Sequence, residues 1–422
     1  MKRFALVLFL GLFVMALSTM AFATTTIKLW TAPNPNQNLF WKTLIPEWEK
    51  THPDIKIEWS QIPASGSSEE AILNAIASGK QPDLCTNIFG GFAAELISSD
   101  VVVPFDSFAG FSDVLKARKM ENVIKGWNVS GHSYVIPIYV NPMMYWWRKD
   151  LLKKAGFDNP PATYDDIYAL SKKVTVPHKR YAFKVFAGAK WWDRWFDFIT
   201  LYYAASEGKP YLDPVAKKAL FDNGYGKAVA NFMYTMFKNK WTAIDFGKDP
   251  LANGKVLGMI KGPWSIPYFK KHYPDVYKNI VITPPPVPEV HKGQPVYTFA
   301  DTKGMVMFKS TKNKEAAWEF VKWVFSDPAH DALWLKITKM PPAREDLLQN
   351  KLFAEYLQDP IVAGYAKYVG NARPTAITSK TVDIQEAMTQ NLIEPLIYLK
   401  ATPFDAIKKA AKKVEEILNE ED

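Results

Sequence analysis

Apolar and polar residues alternate over Ile55-Lys-Ile-Glu-Trp59, the period of two expected of a half-buried strand, and Ile27-Lys-Leu-Trp30 reads as a short strand before it. Between them the apolar residues fall at helical spacing: Leu39, Phe40, Leu44, Ile45 and Trp48, with Pro46 inside the run and Thr51-His-Pro53 at its end. Residues 69–78 read as a second helix, closed by Gly79. Asp83-Leu-Cys-Thr86 is the next strand, and a short loop leads to Gly90-Gly91. Strand and helix alternating in this way predict an α/β fold with mostly parallel sheet.

The middle of the chain repeats the alternation. Residues 134–140 and 143–147 are strand-like and are separated by Asn141-Pro142. A helix over 151–155 stops at Gly156, and Thr163 caps another that starts near Tyr164 with Asp165 and Asp166 in its first turn. Residues 190–240 are largely helical in pattern and rich in aromatics. The apolar run after Lys255 ends at Gly262-Pro263 and then presents Trp264; Lys261, at that strand end, is expected to be solvated. Thr283-Pro-Pro-Pro286 is too rigid and donor-poor for a central strand and reads as a connection between lobes. Two late helices are clear. Residues 314–325 place Ala317, Phe320, Val321 and Val324 on one face, and Thr402-Pro403 opens a helix with the stripe Phe404, Ile407, Ala411, Val414, Leu418. The lysines of 408–413 are its solvated face.

Composition narrows the class. With 422 residues, 48% of them hydrophobic, the chain can bury more than one core. Its start differs from the rest: Lys2-Arg3, an apolar run over 4–17 and Ala21-Phe-Ala23 form the pattern of a secretory signal peptide cleaved after about Ala23, so residues 1–23 are set aside from the fold. That run is short for a membrane span. Cys85 is the only cysteine, so neither an internal disulfide nor a lipid anchor at the cleavage site is expected, and a free periplasmic monomer is. The net charge of +9 is spread without a dense basic block, which argues against nucleic acid. The six histidines show no i, i+4 pair, and no metal site or cofactor is predicted. Aromatic residues make up 14% and include 15 tryptophans, which favours carbohydrate contact: a sugar ring lays its C–H face on an aromatic face and offers hydroxyls to polar side chains.

The ordered motifs resemble those of extracellular solute-binding proteins of the maltose/oligosaccharide-binding type, the capture components of ABC importers. The resemblance rests on Ala77-Ser-Gly79 with Pro82-Asp83, Val102-Val-Pro-Phe-Asp106, Ile136-Pro-Ile138, Trp147-Arg-Lys-Asp-Leu-Leu152 and Lys154-Ala-Gly156 with Pro161-Ala-Thr-Tyr164. It continues through Gly254-Lys255, Gly258-Met259, Gly262-Pro-Trp264, Lys312-Asn-Lys-Glu-Ala316, Ser326-Asp-Pro-Ala329 and Phe404-Asp-Ala406. Trp147-Arg148 and Asp301-Thr-Lys-Gly304 depart from the family pattern at spots expected near its cleft. The resemblance implies a two-lobed periplasmic-binding-protein fold with hinge strands and an inter-lobe cleft, divided at about 24–139 plus 284–338 and 140–283 plus 339–422. It also implies closure around a sugar or polyol and delivery to an inner-membrane permease.

Candidate ligand contacts follow from residue chemistry and from matching positions in the family. Trp264 matches the family's stacking tryptophan; plain core is the alternative. Trp30 ends the first strand, and Asn36 in the amide-rich loop after it is favoured over Asn34, since amides both donate and accept. Asn87 and Phe89 match the ligand loop, and Asn141 a polar contact on the crossing strand. Trp191 or Trp192 is expected as a second platform; adjacent helical residues point about 100° apart and cannot share one ligand face. Asp301 suits bidentate acceptance of hydroxyls, and Arg373 matches a cleft position loosely. A secreted carbohydrate-active hydrolase is the alternative reading, but it needs two carboxylates across the scissile bond, and none is marked as such a pair. No catalytic residue is assigned.

Overall fold

A computed structural model describes residues 24–187 and 191–420; for 191–194 it gives the helix but not the side chains. The first sheet is built from β1 (Thr25–Thr31), β2 (Ile55–Gln61), β3 (Leu84–Ile88) and β4 (Ile136–Pro142), with helices α1 (Pro35–Thr51), α2 (Ser68–Ala77), α3 (Gly90–Ser98) and α4 (Phe111–Arg118) between them. β1 pairs in parallel with both β2 and β3. The helix starts are set by local chemistry. Asn34 caps α1, and Ser67 with Glu70 forms a reciprocal capping box on α2.

The chain then passes to a second sheet through β5 (Met144–Arg148), α5 (Tyr164–Val174), β6 (Tyr181–Phe183), α6 (Trp191–Ala205), α7 (Gly224–Lys238), β7 (Val256–Lys261), α8 (Ser265–His272) and β8 (Ile280–Thr283). The strand order is β8-β5-β7-β6. β5 runs antiparallel to both neighbours, and only β6 and β7 are parallel, so the expectation of mostly parallel sheet holds for β2-β1-β3 and fails here. β5 is buried on both faces: Met144 and Trp146 enter one apolar cluster, Tyr145 and Trp147 another.

After Pro284-Pro-Pro286 the chain returns in β9 (Thr298–Met307), which pairs with β3, β4 and the short β10 (Ala372–Arg373). The crossing is pinned where Met143 donates its N–H to the Phe299 carbonyl at 2.8 Å and accepts from Thr298 Oγ1 at 2.5 Å. Helices α9 (Lys314–Ser326) and α10 (Pro328–Thr338) pack on the first sheet's core. A third passage leads to α11 (Pro360–Tyr368), α12 (Thr381–Met388) and α13 (Pro403–Asn419).

A buried ionic group ties the first sheet to these late helices. Arg118 on α4 donates to Asp331 on α10 at 2.9 and 3.1 Å and also to the carbonyls of Pro137 and Ile138 on β4. Arg344 donates to the same carboxylate at 2.9 Å and to Asp346.

Three expectations need correction. Leu39 and Phe404, placed on buried stripes by periodicity, are 54% and 55% exposed; Leu39 lies off the buried face that Phe40, Trp41, Leu44, Ile45 and Trp48 form on α1, and Phe404 is in the first turn of α13, before its buried residues begin at Ala406. Trp147-Arg148 lies in the core, away from the inter-sheet cavity described below: the Trp147 indole donates to Thr283 Oγ1, and Arg148 is held by Asp150 and the Leu251 and Ala252 carbonyls. Lys261 is not solvated, as described below.

Candidate functional site

A cavity of about 430 Å³ lies between the two sheets, at the ends of β1, β3 and β7. Its first wall comes from loops that follow strands. Ala32, Pro33 and Asn34 leave β1 and line it. Asn34 Oδ1 accepts the Asn36 and Gln37 N–H groups at 3.0 and 3.1 Å, which starts α1 and places Gln37 one turn on, at the cavity. Ser67, Ser68 and Glu69 contribute the start of α2. Asn87, at the end of β3, has φ 68° and donates Nδ2 to Ser68 Oγ at 3.0 Å. Asparagine is among the few non-glycine residues that adopt this left-handed conformation readily. Phe89 then enters the cavity wall.

The floor is β9. Ala300, Asp301, Thr302 and Lys303 line the cavity, beside Tyr139 of β4 and Met340. Burial, and after it the charge of Asp301, hold the Tyr139 phenol well above its ordinary pKa, while a hydrogen bond with Gln37 acts the other way. Tyr139 is stacked on Trp334 at 5.7 Å, which fixes its ring.

The opposite wall is aromatic. Phe299 meets Trp195 and Phe196 edge-on, at 5.3 and 5.2 Å. Trp264, the first residue beyond the β7 turn, packs against the cores of both sheets. Its six-membered ring folds back over Gly262, where a Cβ would sit 2.1 Å from Trp264 Cζ3, so only glycine permits this placement. Thr375 and Gln385 complete this side. Just before the turn, Lys261 is partly buried; burial and the neighbouring Lys184 push its pKa down to about 8, against the opposing pull of Asp249. Asp249 itself accepts from the Tyr268 and Tyr273 hydroxyls at 2.7 and 2.8 Å.

Of the residues expected from sequence, the cavity brings together Asn87, Phe89, Trp264 and Asp301. Trp30 lies on the outward parity of β1 with Lys28 and lines a separate shallow groove with Pro63 and Ala71, beyond the 65–67 segment. Asn36 is turned away because Asn34 and Gln37, three apart, share the helix face. Asn141 is fully buried beneath the floor, opposite Asp301 in register, with Nδ2 on Met340 Sδ at 3.4 Å. The Arg373 guanidinium stacks on Tyr297 at 4.5 Å and donates to the Gly370 and Ala372 carbonyls. The side chains of Trp191 and Trp192 lie outside the described residues. Sequence reasoning passed over Gln37, Glu69, Tyr139, Trp195 and Gln385. Helix phase could have found Gln37, paired with the Asn34 cap; nothing local marks the others.

The wall of aromatic faces opposite amides, hydroxyls and carboxylates suits a polar ligand with apolar faces of its own. Residues 32–331 match the family described as bacterial extracellular solute-binding protein. A maltotriose-binding protein of Pyrococcus abyssi is 25% identical over 82% of this chain and 72% of its own length. A crystal structure of an uncharacterised protein from Listeria monocytogenes is 33% identical, with a TM-score of 0.80, over 94% of this chain and 100% of that one. An ABC transporter solute-binding protein from Thermotoga lettingae, bound with α-D-tagatose, superposes with a TM-score of 0.73 at 21% identity, over 94% and 100% of the two chains.

Proposed function

The chain belongs to the bacterial extracellular solute-binding protein family, and from that premise we propose that it captures a sugar, as a saccharide or polyol, between two lobes and delivers it to an ABC permease in the inner membrane. The observation that carries the reading is the Trp264 wall facing Asn87, Gln37 and Asp301 across one cavity. Relatives named for maltotriose and arabinooligosaccharides and a neighbour holding tagatose point to the same ligand class. The ligand contacts proposed from the first-sheet side are Asn34, Gln37, Asn87, Phe89 and Asp301, and from the second Trp264 and Trp195. Trp30, Asn36, Asn141 and Arg373 are set back from the cavity and are not carried forward as direct contacts.

In this reading the lobes divide at the crossings after Pro142, after Thr283 and after Thr338. Closure is favoured because the ligand touches both lobes and so binds the closed state better. The family works outside the cytoplasm; a signal peptide ending near Ala23 and release as an unlipidated periplasmic monomer complete the proposal. Catalysis is no part of it. A thermal-shift screen of the mature protein against maltotriose, arabinooligosaccharides, tagatose, polyols and sugar acids tests the reading, with hits confirmed by calorimetry. One-to-one binding with the sugar recovered unchanged supports a receptor. Recovery of cleaved sugar supports the hydrolase alternative, and no hit among neutral saccharides or polyols refutes the ligand class.

A further inference from the structure

Helix α3 of the first lobe packs on α12 of the second beside the cavity, where Phe89 and Gln385 stand at its wall. The approach is close: a Cβ on Gly91 would sit 2.1 Å from Thr381 Oγ1, and one on Gly90 3.4 Å from Ile377 Cγ1. Glu95 follows Gly91 by one helical turn on α3, and Asp383 lies two residues beyond Thr381 in the first turn of α12. Glu95 is partly buried and is the only charged residue of α3. Burial, then Asp383 and then Glu69 at the start of α2, hold its carboxyl above the ordinary glutamate range. The other charged residues of α12 and its cap, Glu386 and Lys380, do not move it, and among the described residues no cation offsets the repulsion. The Asp383 charge and the cover of α12 belong to the second lobe and leave when the lobes part, whereas Glu69 moves with Glu95.

We propose that the seam between α3 and α12 makes sugar capture proton-linked: closing the lobes takes up a proton at Glu95, so acid favours the closed, sugar-holding form. This rests on the reading that the lobes close around a sugar, and it adds a regulation to that reading. With Glu95 ionised, closure brings two carboxylates together and withdraws one of them from water, and both effects oppose it. Protonation removes both. The sign follows from linkage. The closed form binds the proton better than the open form, so its advantage is complete below the open-state pKa and is lost as pH rises through the closed-state value. That window begins near the ordinary glutamate value of about 4.3 and extends upward. The coupling is reciprocal: if the proton tightens sugar binding, the sugar tightens proton binding by the same factor, and binding draws protons from the buffer.

The test uses the full mature chain as wild type, Glu95→Gln and Asp383→Asn; neither residue lines the cavity. Each is titrated calorimetrically with maltotriose, an arabinooligosaccharide and tagatose at about pH 7.5 and about pH 5, in buffers of differing ionisation enthalpy, which counts the protons taken up. Wild-type affinity should rise severalfold on acidification, with uptake of a fraction of a proton. Glu95→Gln should bind at the higher pH at least as tightly as wild type does at the lower, without pH dependence or proton uptake. Asp383→Asn, which leaves Glu95 in place, should shrink the pH dependence, and it serves alone should Glu95→Gln fail to fold. Wild-type affinity that ignores pH overturns the inference and leaves the receptor reading intact, as does a pH dependence that survives unchanged in the variants. Weaker binding by Glu95→Gln with a lowered melting point assigns the residue a structural role instead and also overturns it. If none of the three sugars binds, the saccharide reading fails separately and small-angle scattering of the ligand-free protein decides. Compaction in acid that Glu95→Gln lacks supports the proton-linked closure, and no compaction refutes it.

Discussion

Replacing Asp331 with alanine tests the account of how the hinge strand is held. The carboxylate is 6% exposed and lies between Arg118 and Arg344, which are 1% and 2% exposed. In the variant Arg344 keeps Asp346, at 2.7 and 3.0 Å, but Arg118 keeps only neutral acceptors, the carbonyls of Pro137 and Ile138. Removing one partner of a buried pair leaves a charge in a poorly polarisable interior, which costs about 3–5 kcal/mol. If the first lobe unfolds as a unit of ordinary domain size, that lowers its transition by roughly 10 °C. Differential scanning calorimetry, with urea unfolding as a second probe, reads the loss. A fall of less than about 1 kcal/mol, the value of an exposed ion pair, refutes the reasoning. Replacing all three residues by leucine and methionine should recover most of the stability, because the cost comes from the uncompensated charge rather than the lost contact.

Other consequences are open to measurement. Trp264→Ala should weaken sugar binding by about 1–3 kcal/mol with the fold retained, since a buried aromatic can anchor most of a ligand's affinity; collapse of the fold with undiminished affinity in the folded remainder would assign Trp264 to the core alone. The folded-state pKa of Lys261, about 8, lies below its unfolded value, so the unfolded chain binds the extra proton between about pH 8 and 10.4 and this group's contribution to stability rises with pH across that window. Lys261→Met should therefore be more stable than wild type at neutral pH, with the advantage shrinking towards pH 10; a pH-independent difference in urea unfolding contradicts this. Gly91→Ala places a Cβ 2.1 Å from Thr381 Oγ1, where α3 from the first lobe meets α12 from the second. Sugar affinity should fall and small-angle scattering should show a more open form, both restored by adding Thr381→Gly; unaltered affinity in the single variant would show that the two helices part without consequence.

Much of the architecture was legible because it is written locally. The strand at Ile27–Trp30, the alternation in Ile55–Trp59, the cap at Thr163 and the stripe of α13 beyond Phe404 depend on residues close in the chain, and the structure keeps them. The turn that presents Trp264 was equally visible, since Gly262-Pro263 permits little else. Other features depended on partners far away in sequence. Asp331 is 213 residues from Arg118, and only the fold makes Arg118 a buried cation and Lys261 a partly buried one, the first compensated by a carboxylate and the second by a lowered pKa. The cavity followed the same division. Loop ends beyond strands, taken with the family resemblance, brought Asn87, Phe89 and Trp264 into view, and Asp301 came from its carboxylate chemistry in the segment that departs from the family pattern. Which side of a strand or helix faces the other lobe could not: Trp30 and Asn141 lost their expected places by parity and depth, and Gln37 and Gln385 gained theirs by phase. The sequence by itself determined the elements, their order and the kind of chemistry available. Tertiary structure alone decided which side chains share a cavity, because that depends on how two separately folded sheets are set against each other by three chain crossings.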